Sequence, residues 1–246
     1  MNAAPRKDIH NSDIPLVCVS CEARHKGVCG ALNSKQLSEL AKHTSKVTFN
    51  AEQPITSDGE QIRRYGNILS GVVKLAKLTS DGRQQIVGLQ FAPDFVGRPF
   101  SEKSDYDVEA ATEVHVCTFP PQILNRLVQE SPELEHRLHE QTLKELDEAR
   151  DWMLTLGRKS AGERVASFLH FIAQHVDPDL HKRGPVTFEL PLKRTDMADF
   201  LGLTIETVSR QLTKLRQARI IELPNNRTVV IADVSRLKAA ADKQDI

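Results

Sequence analysis

The chain predicts an α+β fold in three parts: an antiparallel β-roll, a long helix and a C-terminal winged helix-turn-helix. Three observations carry this reading. Residues 46–119 alternate short β-rich runs with glycine-marked turns. Residues 132–157 repeat apolar side chains at helical spacing over about six turns. Residues 194–216, RTDMADFLGLTIETVSRQLTKLR, read as two helices parted by a sharp turn. The boundaries that follow are residues 1–30 for a cysteine-rich segment, 31–130 for the roll, 131–157 for the long helix and 158–246 for the winged helix.

At 246 residues there is room for two ordinary domains. The 33 Lys and Arg balance 33 Asp and Glu, so no global field announces a nucleic-acid partner. The distribution is uneven: from Arg158 onward 15 basic residues face 11 acidic ones, while the remainder carries 18 against 22. A mildly basic C-terminal part on an acidic body fits DNA binding through one domain. The start, MNAAPRKDIHNSDIP, has no apolar core and is not a signal peptide, and no run approaches the ~20 apolar residues of a membrane span. The expected location is the cytoplasm, where structural disulfides are rare. No Walker-type loop, Ser-His-Asp arrangement or HExxH stands out, so no enzyme is expected.

In chain order, residues 1–15 are polar and read as disordered. CVSCEARHKGVCG then spaces Cys18, Cys21 and Cys29 as C-x2-C-x7-C, with Cys117 the fourth cysteine of the chain. Three thiols within twelve residues of a reducing compartment call for a metal rather than a disulfide. The spacing leaves two centres open, a tetrahedral zinc or an iron–sulfur cluster. His25 can stand in for a thiolate at either.

Residues 34–43 read as a short helix. VTF, NILSGVVKLAKL, QQIVGLQF and EVHVCTF are the strands of the roll, and Asp81-Gly82 is a hairpin turn. In EVHVCTF, Val114 and Val116 point one way while His115, Cys117 and Phe119 point the other. Pro120-Pro121 opens a helix to Gln129. Ser131 then caps the long helix with Pro132 in its first turn. Leu134, Leu138, Thr142, Leu146, Ala149, Met153 and Leu156 form its stripe, and Gly157 ends it. A further helix runs from residue 161 to about 176, HKRGP is a loop, and VTFEL is a strand. ARIIEL and TVVIA, on either side of PNNR, read as the wing hairpin. Residues 234–241 close the chain as a helix.

Within residues 194–216, Met197, Ala198 and Leu201 make the inner face of the first helix. Gly202 breaks it, and Thr204 sits where an N-cap belongs. Ile205, Val208, Leu212 and Leu215 should face a core. Glu206, Ser209, Arg210 and Thr213 lie opposite, a polar set that suits a major groove: Arg bridges guanine, Glu accepts from a cytosine amino group, and Ser bonds either way.

DMADFLGLTIETVSRQL resembles the helix-turn-helix of the CRP/FNR family of bacterial transcription regulators. Glu206, Ser209 and Arg210 match the base-reading triplet of its FNR branch. The similarity runs over nearly the whole chain, and NILSGVVKL is similar to the family's cyclic-nucleotide-type β-roll. The resemblance implies an oxygen-labile [4Fe–4S] cluster held by Cys18, Cys21, Cys29 and Cys117, with Val28 at a position where the family places a screening apolar residue. Many members have five residues before the third cysteine; this chain has seven. Members that bind cyclic AMP use an Arg-Ser pair for the phosphate and a Glu for the ribose. Here Arg98 stands near the glutamate position and Asp105-Tyr106-Asp107 near the pair, where acidic groups repel a phosphate, so no cyclic nucleotide is expected.

The resemblance also implies a homodimer through Leu138, Thr142, Leu146, Ala149, Met153 and Leu156. It implies a palindromic DNA site like TTGAT-N4-ATCAA, read by Glu206, Ser209 and Arg210 with Thr204 and Thr213 beside them. Finally it implies an RNA polymerase contact at Thr79, Asp81, Gly82 and Arg83. The expectation is an oxygen-responsive transcription regulator. A same-fold regulator with a zinc or thiol-redox switch stays open, as does an electron-transfer protein.

Overall fold

The computed structural model describes residues 14–19, 21–178 and 185–242. The polar start read as disordered lies outside the described residues up to residue 13, and the HKRGP loop does so up to residue 184. The chain divides into two compact units, residues 1–77 with 87–146, and residues 78–86 with 147–246.

The first unit opens with helical turns that the sequence reading missed: α1 (Leu16–Val19), α2 (Glu22–Lys26) and a 3-10 turn (Val28–Ala31). Helix α3 (Ser34–Ala41) follows. Its N-cap Asn33 accepts from the Gln36 amide, and the Gln36 side chain accepts from Asn33 in return, so two otherwise orphaned donors are satisfied. The roll is built from β1 (Ser45–Phe49), β2 (Pro54–Thr56), β3 (Tyr65–Ser70), β4 (Val72–Leu78), β5 (Gln84–Phe91), β6 (Phe95–Val96), β7 (Asp107–Ala110) and β8 (Val114–Phe119). They form two four-stranded sheets, ordered β1-β8-β3-β6 and β2-β7-β4-β5. The four β-rich runs of the sequence are β1, β3 with β4, β5, and β8. The short strands β2, β6 and β7 carry no readable alternation. Gly71 makes the β3–β4 corner at φ +89°, and a Cβ there would stand 2.2 Å from the Glu113 carbonyl oxygen, so no larger residue fits.

β8 alternates as its sequence dictates. Val114 and Val116 enter one apolar cluster with Ile68, Val73, Val96, Val108 and Ala110. Phe119, on the other face, enters a second cluster with Val28, Leu32, Leu37, Tyr65 and Phe95. That second cluster also takes in Leu124 and Leu127 of α4 (Pro121–Glu130) and Leu134 and Leu138 of α5 (Pro132–Arg158). Ser131 caps α5 by accepting from the Leu134 amide. At 27 residues α5 is about 40 Å long.

The second unit holds the later turns of α5, α6 (Ala161–Val176), β9 (Val186–Glu189), α7 (Arg194–Leu201), α8 (Ile205–Gln217), β10 (Thr228–Ile231) and α9 (Val234–Ala241). Ser160 and Glu163 form a capping box at the start of α6. An aromatic group fills the interior: Trp152 of α5 meets Phe200 of α7 edge-on at 4.5 Å and Phe171 of α6 at 5.4 Å.

Two expectations need correction. The wing hairpin is shorter than read: ARIIEL meets β10 through a single antiparallel bridge, Glu222 to Val230, and β10 pairs along its length with β9. The turn from Arg219, at φ +55°, into residues 220–223 leaves that stretch no straight edge to extend. Ile205, the first residue of α8, does not face the core, being 41% exposed; Val208, Leu212 and Leu215 are buried as read.

The helix-turn-helix geometry follows from two local choices. Gly202 ends α7 at φ +61°, and Thr204 caps α8 by accepting from the Thr207 amide. A Cβ on Gly202 would meet only Arg164 Nη1, at 3.7 Å, so the cost of a side chain there is conformational rather than steric. Gly202→Ala and Thr204→Ala should each lower the unfolding free energy of the C-terminal unit by about 1 kcal/mol, read by urea denaturation followed through Trp152 fluorescence. Unchanged midpoints for both would mean that packing alone sets the turn.

Candidate cysteine site and nucleic-acid interface

The four cysteines come from three places: Cys18 from α1, Cys21 and Cys29 from the turns that follow, and Cys117 from β8. All are free thiols and partly buried. They lie within reach of one another's charge. Burial, then Cys117, Cys18 and Cys21 in that order, push the Cys29 thiol up to about 12. Burial, then Cys21 and Cys18, push Cys117 up to about 11. Cys18 is raised by burial and by Cys21. Opposing this, Arg24 and Lys46 favour the Cys18 thiolate, Lys46 and the Thr44 hydroxyl favour that of Cys117, and Asn67 hydrogen-bonds Cys29. Bound cationic iron or zinc would offset both the burial and the mutual repulsion that oppose forming the thiolates. Among the described residues, no group of three or more His, Cys, Asp or Glu side chains is arranged to hold a metal ion.

Cys117 is nevertheless near enough to the N-terminal trio for each thiol to act on the others' charge. His25 is exposed and is not among the groups acting on the thiols. Val28 is 1% exposed and belongs to the core that also holds Leu134 and Leu138. Asn67 was missed. The signal for it was one polar amide at an inward position of the otherwise apolar run YGNIL.

On α8, Glu206, Ser209 and Arg210 are exposed and Thr213 is half-buried, on the face opposite the buried stripe. Arg210 donates to Thr207 Oγ1 at 3.2 Å, which holds its stem along the helix. Hydrogen bonds from its own amide and from the Thr204 hydroxyl keep the Glu206 carboxyl below its usual range, so it carries a full negative charge. Arg194 of α7 reaches the Asn226 carbonyl oxygen, tying the first helix to the wing turn. Asn225 shapes that turn by accepting from the Arg227 and Thr228 amides.

The stripe on α5 divides. Leu138 is turned into its own core; Thr142 and Ala149 are exposed, Leu146 is 42% and Met153 73% exposed, and Leu156 is half-buried. Leu143 and Leu154, outside the stripe as read, are also exposed. At the tip between β4 and β5, Gly82 takes φ +82°, Thr79 and Arg83 both bond Asp81, and the Arg83 side chain is 81% exposed. Arg98 pairs with Asp105, Lys77 with Asp58, and Lys74, almost buried, with Glu109 at 2.8 Å.

Residues 46–131 match the cyclic nucleotide-binding domain profile, and residues 163–240 match the Crp-like helix-turn-helix domain. The chain is 51% identical to the "Probable transcriptional activator" of Rhizobium leguminosarum bv. viciae, over 95% of this chain and 96% of that protein. The chain belongs to the CRP/FNR family of transcription regulators. It is 41% identical to the transcriptional activator protein FnrL of Cereibacter sphaeroides, again over 95% and 96%. The structure of FixK2 from Bradyrhizobium japonicum superposes with a TM-score of 0.73 at 30% identity, covering 82% of this chain and 98% of that one. This CRP/FNR chain is therefore a DNA-binding transcriptional activator of the FNR/FixK group, whose relatives are regulators rather than enzymes. No helix among its described residues is long and apolar enough to cross a membrane.

Proposed function

We propose that this regulator holds an oxygen-labile [4Fe–4S] cluster on Cys18, Cys21, Cys29 and Cys117, and that holding it favours a homodimer that binds a TTGAT-N4-ATCAA-like palindrome to control genes for low oxygen. The observation that carries the reading is the convergence of the four thiols, each within reach of the others' charge, beside a core shared with α5. When bound, the cluster supplies iron that bonds all four thiolates and is lost to oxygen. The chain does the rest. Cys18, Cys21 and Cys29 belong to the N-terminal segment and Cys117 to the sheet, so holding all four together fixes the segment against β8. Val28 travels with Cys29. Burying a valine side chain stabilises by about 1.5–3 kcal/mol, and Val28 is buried in the same core as Leu134 and Leu138 of the helix that carries the dimer face. Leu143, Leu146 and Met153 recur at intervals of three and seven, the spacing of a two-helix seam. Two α8 helices held about 34 Å apart can then enter successive major grooves. Thr79, Asp81, Gly82 and Arg83 form a self-bonded, exposed tip suited to touching RNA polymerase. The ion pairs of Arg98, Lys77 and Lys74 favour a roll that takes no cyclic nucleotide.

Iron and acid-labile sulfide after oxygen-free purification test the reading directly. Wild type should carry about four of each per chain with visible absorption; a colourless protein with zinc would select the zinc regulator instead. Cys117→Ser should lose the cluster and operator binding together while far-ultraviolet circular dichroism stays unchanged. Full iron content in that variant would remove Cys117 from the ligand set.

Leu146→Asp should shift the iron-loaded protein from dimer toward monomer in sedimentation, because an unpaired charge in an apolar seam costs several kcal/mol. A tight dimer with and without iron would sever oligomerisation from the metal.

Arg210→Lys keeps the charge but loses the bidentate fork. Selection on randomised half-sites should show discrimination at the half-site guanine falling by about 1–3 kcal/mol, with the salt dependence little changed. Glu206→Val should relax or switch the preference at one base pair while nonspecific binding holds or tightens. If both variants keep the parental preferences and merely bind more weakly, α8 is not the reader.

A further inference from the structure

Asn67 is buried to 3% exposure in the middle of β3. On the same strand Tyr65 and Ile68 each enter an apolar core cluster, and the Tyr65 hydroxyl donates to the Arg98 carbonyl oxygen. Register places Asn67 directly opposite Cys117 in β8, so the two side chains leave the sheet on the same face. Its Nδ2 donates to Cys29 Sγ at 3.2 Å. Its Oδ1 is buried with no hydrogen-bond partner. Burying an amide with one end unsatisfied costs about 1–3 kcal/mol, and a leucine of similar size would pack against Tyr65 and Phe95 without that cost. The cost is offset by nothing in the packing. What the amide does have is a sulfur of one cysteine at hydrogen-bond distance and another cysteine across the strand.

We propose that Asn67 is a positioning residue for the cluster, holding the Cys29 sulfur by an N–H···S hydrogen bond and withdrawing electron density from it. This rests on the cluster reading above. A hydrogen bond to a ligating sulfur stabilises the more electron-rich form of an iron–sulfur centre, and partners outside the ligand set tune such centres as strongly as the ligands orient them. The donor therefore raises the reduction potential and slows loss of the cluster in air. It acts from the sheet, so its effect is independent of the C-x2-C-x7-C spacing.

The test compares wild type with Asn67→Leu, both purified without oxygen. Iron and sulfide per chain and far-ultraviolet circular dichroism give cluster content and folding. Mediated spectroscopic titration gives the potential, and the visible absorbance followed after admitting air gives the rate of loss. Expected are equal iron and sulfide, a lower potential, and bleaching faster by roughly tenfold. Asn67→Thr, which retains a hydroxyl donor, should lie between the two; if the leucine variant does not fold, threonine and Asn67→Ala replace it in the same comparison. A full cluster that bleaches at the wild-type rate and the wild-type potential overturns the assignment. So does a variant whose iron content falls while the clusters that remain bleach at the wild-type rate, which marks a packing role. Absence of iron and sulfide from wild type itself overturns the cluster reading, and this proposal with it.

Discussion

One apolar core holds the N-terminal cysteine segment, the sheet and the start of the long helix in a single contact network. Val28 lies in it one residue before Cys29, Phe119 two residues after Cys117, and Leu134 and Leu138 on the first turns of α5. An event at the thiols is thus mechanically adjacent to α5 without any ligand having to reach it. The core is tilted-aromatic at its centre, with Tyr65, Phe95 and Phe119 at 5.4 and 6.2 Å, a rigid floor against which the segment either packs or does not.

The same helix serves the other unit by a different chemistry. Trp152 packs edge-on against Phe200, the penultimate residue of α7, and Arg164 of α6 bonds the Leu201 carbonyl at the end of that helix. Gln85 donates to the Phe200 carbonyl oxygen, so the hairpin tip grouped with this unit also touches α7. The reading helix α8 is held indirectly, through the α7 turn and its own buried stripe.

Charge pairing organises the second sheet of the roll. The sheet β2-β7-β4-β5 keeps the architecture of a nucleotide-binding domain, yet its polar side chains are spent on one another: Lys74 on Glu109, Lys77 on Asp58 and the Asp105 carbonyl, Arg98 on Asp105. A partly buried lysine paired to a carboxylate is costly to break, since either partner alone would be left desolvated. Cys117 stands in the other sheet, on β8 between β1 and β3.

The longer strands and the helices from α3 onward, with most of their faces, are legible in the sequence; α1, α2, the 3-10 turn and the short strands β2, β6 and β7 are not. Periodicity alone marks α5, α6 and α8, Gly202 and Thr204 announce the turn between the reading helices, and the alternation in β8 puts Cys117 with Phe119 and away from Val116. These are local properties, written in residues a few positions apart. Only the tertiary structure decided how far each strand pairs with β10, because ARIIEL and VTFEL are equally good strands; VTFEL pairs along its length and ARIIEL through the single bridge at Glu222. Only it turned Leu138 inward and left Leu143 outward, since a stripe drawn at 3.6 residues per turn cannot say what stands on each side of it. And only it set Asn67 beside Cys29, 38 residues away in sequence, through a strand register that no local pattern encodes.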